Sequence, residues 1–451
     1  MLKTITVLLF IQTKSYILHV GYSTKQIHIA QLLAHKYDTI FTKTRGNMQP
    51  FPYVESHLNK DLLERIFTSA SIRRWNDKAC PLDFVELDKQ AHKIIIAYMF
   101  AKIEEDLGKP IHYESLIQKF LFGFFERIVL TDIKPPVFHK LKHSHGKELA
   151  QYVKQCIQKE VAGYTFFDNM EHFLLEKDSS LESRILQAAH FYASKWEFDI
   201  IYNFNPKLYD VEMIKNTIDS QNESFYDLSS MQQLILYQDL RECVGMFGEL
   251  RFQKRWSQTP RIPETSVLGH TLVVAICAYL LSIDLGLNES MRKEHFFGGL
   301  FHDLPEILTR DIISPIKYSV PGLDSFIHAI EQEEMQEKIL KKLPPYITND
   351  IIYWTENEFC NRFIDSDNTV HIVDDCEIFL SQHNDKQRRA ICGDLLKFCD
   401  KLSAFLEARI SILHGVSTAI LKNGADSIYR DLQHKTIKNV QLGKILTAFY
   451  E

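Results

Sequence analysis

Glycine and proline are both scarce: the 451 residues include 17 and 14 of them, which excludes collagen-like, low-complexity and mostly disordered chains. No Cys-x-x-C pair occurs among the eight cysteines, at 80, 156, 243, 277, 360, 376, 392 and 399. Cys277, Cys376 and Cys392 fall in apolar helical patterns, so the cysteines read as buried, reduced thiols of a cytoplasmic protein rather than a disulfide frame. Positive charge is not in excess, with 52 basic against 58 acidic residues and a formal net charge of −6. No overall basic field is present to hold nucleic acid stably, although a local basic pocket for a small phosphate is compatible with that balance. The apolar run at Met1–Ile11 is broken by Gln12-Thr13-Lys14 and no small-x-small cleavage site follows it, so neither a signal peptide nor a membrane span is expected there. Period-2 alternation bounded by turn pairs is almost missing, which argues against extensive sheet.

What is present is globular material: 45% hydrophobic and 24% charged residues, enough to core two domains or one large helical body. From Leu62 onward most of the chain reads as helix. Stretches such as Ala91–Ile103 and His270–Leu281 are too densely apolar for a surface helix and are expected to be buried. The fold class is therefore all-α.

One pattern occurs twice. Arg74-Trp75 resembles Arg255-Trp256 at a separation of 181 residues, and His92 before an apolar helix resembles His270 at 178. The run Phe120–Pro136 resembles Phe297–Pro315, with Asp132 and Asp311 separated by 179, and His190 resembles His371 at 181. Four ordered matches with nearly constant spacing predict a duplicated helical domain. The expected division is an N-terminal extension (1–54), a first helical domain (55–205), a polar linker (206–239), a second domain (240–405) and a helical C-terminal extension (406–451).

The second domain carries metal-ligand chemistry. His270, His302-Asp303 and Asp374 each sit in an apolar pattern, where an ionised carboxylate is costly unless it is paired or bound to a cation. Two imidazoles and two carboxylates brought together would satisfy one another through one divalent ion and leave positions open for water and substrate. Mixed nitrogen and oxygen ligands suit Mn, Co, Fe or Zn, without choosing among them. Asp374 is preferred to its neighbour Asp375 because Glu377 then falls at i+3 on the same helical face.

The pattern His270…His302-Asp303…Asp374 resembles the ligand set of the HD-domain metal-dependent phosphohydrolases. Arg255-Trp256 ahead of the first His, then His302-Asp-Leu-Pro-Glu306, Leu308-Thr-Arg-Asp311 and Pro315-Ile-Lys317-Tyr, is similar to the bacterial 5′-deoxynucleotidase branch of that superfamily, over about residues 250–385. The resemblance implies tandem HD-domain-like helical domains, catalytic carboxylates at Glu306 and Asp311, and substrate contacts from Arg255, Trp256 and, more weakly, Lys317. Arg255 can fork onto a phosphate as lysine cannot. Trp256 is expected to lie beside the sugar and favour one lacking a 2′-hydroxyl.

At the matched positions of the first domain the His-Asp pair is replaced by Gly123-Phe124 and the last Asp by Ala193 or Ser194. That domain is thus expected to be degenerate and to brace the second, as an intramolecular pseudo-dimer or beside a homo-oligomeric partner, and less readily to be a regulatory nucleotide pocket. His143-Ser-His145 reads as a polar loop. The expected function is release of phosphate from small nucleotides, foremost deoxyribonucleoside 5′-monophosphates. The alternatives are another HD phosphohydrolase (nucleoside triphosphate, cyclic nucleotide or alarmone) and a non-catalytic nucleotide sensor or scaffold. Hydrolysis of cyclic dinucleotides by the Gly-Tyr-Pro subclass is disfavoured, because that tripeptide does not occur.

Overall fold

In the computed structural model, residues 53–176, 178–310, 312, 316, 319–384 and 388–450 are described. Residues 1–52 of the N-terminal extension, Asp311 and Lys317 lie outside them. Most of the rest is helical, as the scarcity of alternating patterns predicts. The chain opens with α1 (Lys60–Thr68) and a two-stranded antiparallel ribbon, β1 (Arg73–Arg74) with β2 (Phe84–Val85). Next come α2 (Glu86–Asp106), α3 (Tyr113–Leu130), α4 (Pro135–Ile157), α5 (Met170–Leu175) and α6 (Leu181–Phe204). Helices α7 (Val211–Glu223), α8 (Ser229–Leu236) and α9 (Gln238–Glu249) follow.

The remaining part contains α10 (Val267–Asp284), α11 (Glu289–Phe301), the short α12 (Glu306–Thr309), α13 (Leu323–Lys338) and α14 (Pro345–Thr355). After these, β3 (Arg362–Ile364), β4 (Val370–Ile372), α15 (Cys376–His383) and β5 (Ala390–Ile391) lead to α16 (Gly393–Leu413), α17 (Ala419–Leu432) and α18 (Gly443–Thr447). The three strands form one small antiparallel sheet in the order β4-β3-β5.

Helices α2 and α10 are the two buried axes of the molecule. Ile94–Ala101 of α2 and Val267–Ser282 of α10 are inaccessible around their whole circumference, which fits sequences that are apolar on every face. Helix α10 is also the one described helix long and apolar enough to cross a membrane, and 89% of it is buried inside the protein. The two helices pack against each other; α2 also packs on α6, and α10 on α11 and α16. At Gly299 of α11 an added Cβ would lie 3.0 Å from the Ala275 backbone, so only glycine lets α11 approach α10 this closely.

Val54–Glu451 form one compact unit with a continuous core, which changes the expected division. Residues 206–239 are helical, and Phe225, Leu228, Met231 and Leu234 belong to the common core rather than to a polar linker. The boundary at 405 falls inside α16. Buried polar links also join the expected domains: Tyr98 of α2 donates to Asp350 of α14 at 2.6 Å, and Arg389 donates to the same carboxylate at 2.6 Å. His143 and His145 lie in α4, which kinks at His145, not in a loop. The cysteines are free thiols as expected, with Sγ of Cys376 and Cys392 only 2.9 Å apart.

Candidate metal centre

Ser266 starts α10: its hydroxyl accepts from the Gly269 amide at 2.9 Å and donates to Asp88 at 2.6 Å. That capping places His270 in the first helical turn, fully buried. Helix α11 ends at His302, whose Nδ1 bonds the Gly299 carbonyl at 2.9 Å. A carbonyl only accepts, so the proton sits on Nδ1 and the Nε2 lone pair is turned toward the centre. Nε2 of His302 is buried and makes no hydrogen bond. Asp303 follows, with Oδ1 at 3.3 Å from His302 Nε2 and Oδ2 at 3.6 Å from His270 Nε2. Ligand atoms of His270, His302 and Asp303 all lie within 4.8 Å of one another.

The fourth acid is not the expected one. Asp374 is exposed on the turn between β4 and α15, while Asp375 caps α15 by accepting from the Ile378 amide at 2.8 Å. The segment Val370–Ile372 pairs as a strand, so the helical face argued for Asp374 and Glu377 does not form; Glu377 instead accepts from the Lys438 amide. Asp400 of α16 occupies the centre, with Oδ1 at 3.1 Å from His270 Nε2 and 3.9 Å from His302 Nε2. The signal that could have found it is a pair of acids, Asp400 and Glu407, seven residues apart in an apolar helix and hence on one face.

The donor set fits a divalent ion. Two imidazole nitrogens and two carboxylates converge, and the unpartnered Nε2 of His302 points among them, as mixed-ligand sites require. The electrostatics agree. Burial disfavours protonation of His302, yet Asp303 and Asp400 overcome it and push the imidazole up to about 9. Burial likewise disfavours ionised Asp400, but its hydrogen bond to His270 and the nearby His302 imidazole hold it well below the usual carboxylate range. This is a centre that attracts positive charge.

Arg255 and Trp256 stand beside it. The Arg255 guanidinium lies 3.7 Å from Asp303 and 3.6 Å from Glu407, and the Trp256 indole N–H donates to Glu407 at 2.9 Å. Trp256 has φ of 55°, a left-handed conformation that is strained for an aromatic residue. Its ring fits because α17 has glycine at 424, where a Cβ would lie 2.5 Å from the indole. Glu306 is buried at the start of α12, after Pro305 has ended the preceding turn as expected. It lines a pocket of about 120 Å³ together with His302 and Asp303, closed on the far side by His328 and Glu331 of α13 and Glu356 after α14.

The N-terminal half has a comparable frame with different contents. Trp75 has φ of 56°, its indole N–H donates to buried Glu197 of α6 at 2.9 Å, and Arg74 donates to Glu197 and Glu86 at 2.9 and 2.8 Å. The fourth residue of α2 is Lys89, just as the fourth of α10 is His270. Its ammonium meets His190 Nδ1. His92, expected to match His270, lies almost a turn further on and its Nε2 bonds the Val244 carbonyl at 2.9 Å.

Comparison with known proteins follows this geometry. A family model described as HD domain matches residues 247–429. The matched stretch contains the whole cluster of His270, His302, Asp303 and Asp400. Over 106 residues, 23% of this chain, it is 29% identical to a 5′-deoxynucleotidase of Yersinia pestis (strain Pestoides F). It is equally similar to a 5′-deoxynucleotidase of Yersinia pseudotuberculosis serotype O:3 (strain YPIII). The chain spans about half the length of these relatives, 53% in each case. No solved structure matches it.

Proposed function

We propose that the C-terminal half is a metal-dependent phosphomonoesterase acting on small nucleotides, foremost deoxyribonucleoside 5′-monophosphates, in a cytoplasmic setting. The observation that carries this is the convergence of two imidazoles and two carboxylates beside an arginine and a tryptophan at the mouth of an acid-lined pocket. Asp303, Glu306, Glu331, Glu356 and Glu358 line that pocket, so a phosphate dianion would be repelled unless cations offset them. His270, His302, Asp303 and Asp400 would hold one divalent ion, which when bound would supply that offset, polarise phosphorus and acidify water.

The remaining work falls to this chain's own side chains. Arg255, steadied by Asp303 and Glu407, is the guanidinium that forks onto phosphate oxygens. Glu306 lies four residues after His302 and lines the same pocket, where it orients the attacking water and, with Asp311, handles the proton passed to the leaving alkoxide. Trp256 is locked through its N–H and in a left-handed backbone, so it offers a fixed flat wall beside the sugar. Lys317 adds a weaker phosphate contact.

The N-terminal half, in the same reading, is a degenerate HD-like copy that braces the active one. With Glu197 matched to Glu407 by their tryptophan ties, His190 stands where Asp400 does, seven residues earlier, rather than Ala193 or Ser194; the ligand positions then hold Lys89, Gly123, Phe124 and His190, which do not form a cation site together. The matched tryptophan ties and left-handed backbones support the duplication, and so does the matched link from Glu86 N to Ile72 O and from Val267 N to Gln253 O, both 2.9 Å. The test is a screen of deoxy- and ribonucleoside monophosphates, triphosphates and cyclic nucleotides against Mn, Co, Fe and Zn with the full chain. Phosphate release favouring the deoxy monophosphates is expected. Turnover confined to triphosphates or cyclic nucleotides would move the substrate class, and metal-free protein that binds nucleotide without turnover would make it a sensor.

A further inference from the structure

We propose that Glu407 is the positioning residue of the metal centre, a single buried carboxylate that backs the Nδ1 side of His270 and fixes the places of Arg255 and Trp256 at once. The inference rests on the metal-centre reading above. Glu407 lies on α16 two turns beyond Asp400 and is 1% exposed. Its Oε1 faces His270 Nδ1 at 3.4 Å and accepts from the Thr265 hydroxyl at 2.9 Å. Its Oε2 accepts from the Trp256 indole at 2.9 Å and faces Arg255 Nε at 3.6 Å.

Nε2 of His270 bonds Asp400 at 3.1 Å; a cation taken up there would replace that proton and leave the imidazole's one N–H on Nδ1, the side that faces the acceptor Glu407. A partner of this kind orients a ligating imidazole and raises its basicity. The same carboxylate holds the two groups proposed to meet phosphate and sugar, so ligand geometry and substrate geometry share one anchor. Burying that charge is costly unless such donors surround it. Glu197 of the N-terminal half makes the same tie to Trp75 and Arg74 but has Arg251 at 2.8 Å where Glu407 has an imidazole. The tie to the metal ligand is therefore particular to the half with the ligand cluster.

The experiment measures cobalt binding to the full chain, by chelator competition and by the visible spectrum of the bound ion, with no substrate present. Glu407→Gln keeps the shape, cannot act as a pure acceptor, and is expected to weaken cobalt about 10- to 100-fold and alter the spectrum. Glu407→Asp is expected to recover part of that loss. Because Glu407→Gln removes a deeply buried charge and can fail to fold, Thr265→Val is the second variant. It deletes one donor to Oε1 at nearly constant volume and is expected to weaken cobalt roughly 5-fold. Folded Glu407→Gln or Thr265→Val protein with wild-type cobalt affinity and spectrum overturns the inference. Wild-type protein that binds no divalent ion instead overturns the metal-centre reading itself, so the two failures are distinguishable.

Discussion

The two halves of this molecule build nearly the same frame and fill it with opposite charge. In each, a left-handed tryptophan donates to a buried glutamate, and an arginine next to it meets the same carboxylate. In the C-terminal half the enclosed space contains Asp303, Asp400 and Glu306. In the N-terminal half it contains Lys89, Lys93, His190 and Arg127, faced by Glu86 and Glu126. Gly123 has no side chain, and a Cβ there would stand 3.7 Å from the Lys93 ammonium. The N-terminal half thus encloses buried amines facing Glu86 and Glu126, where the C-terminal half encloses carboxylates facing two imidazoles.

The sharpest way to break that comparison is Asp303→Asn. It weakens a charged ligand in the one half proposed to hold metal. We expect metal content and phosphate release to fall together, by at least about 100-fold, since even outer partners of a ligand are worth that much. Metal analysis and phosphate assay check it, and undiminished hydrolysis would remove the proposed site. Next, the wild-type chain should bind one ion, not two. Asp400→Asn should abolish that binding while Asp374→Asn leaves it intact; equal loss in both would return the fourth ligand to the β4–α15 turn.

Glu306→Ala should keep the ion and lose turnover by roughly 100- to 10,000-fold, the usual range for a positioned proton-transfer group. Release of metal from that variant, read by the same metal analysis, would make Glu306 structural. The smallest effect concerns the N-terminal half. Burial lowers Lys93 from the ordinary lysine value of 10.5 to about 8. The folded protein therefore binds this proton less tightly than the unfolded chain, and its contribution to stability rises with pH between about 8 and 10.5. Lys93→Met should be stabilised relative to wild type at pH 7 by on the order of 3 kcal/mol, a difference that shrinks as pH rises through that window. Denaturant melts at pH 7 and 10 measure it, and a pH-independent difference would show that the ammonium is already compensated by Glu86 and Glu126.

The all-α class and the gathering of Arg255-Trp256, His270, His302-Asp303 and Glu306 in one region were legible because each rests on local spacing. Helix periodicity exposes buried faces, and the arginine–tryptophan and histidine–aspartate dipeptides travel as short words. Asp400 and Glu407 were not legible for the opposite reason. They lie about a hundred residues beyond His302, single acids in an amphipathic helix like many others, while the doubled Asp374-Asp375 offered a louder false signal that is only a turn and a cap. The matched pair His92 and His270 misled in the same way, because letters aligned where the helix starts show Lys89 to be the residue in His270's place.

By itself, then, the order of residues determined which segments become helices, which faces they bury, and the two local ligand words of an HD centre. Only tertiary packing decided which acid, Asp400, joins His270, His302 and Asp303, which carboxylate stands behind His270, and the sharing of one core by the two halves. The physical reason is reach: helix periodicity is written within a few turns, but coordination is set by which distant helices are drawn together, here by a glycine that lets α11 press against α10 and by the packing of α16 on the same helix.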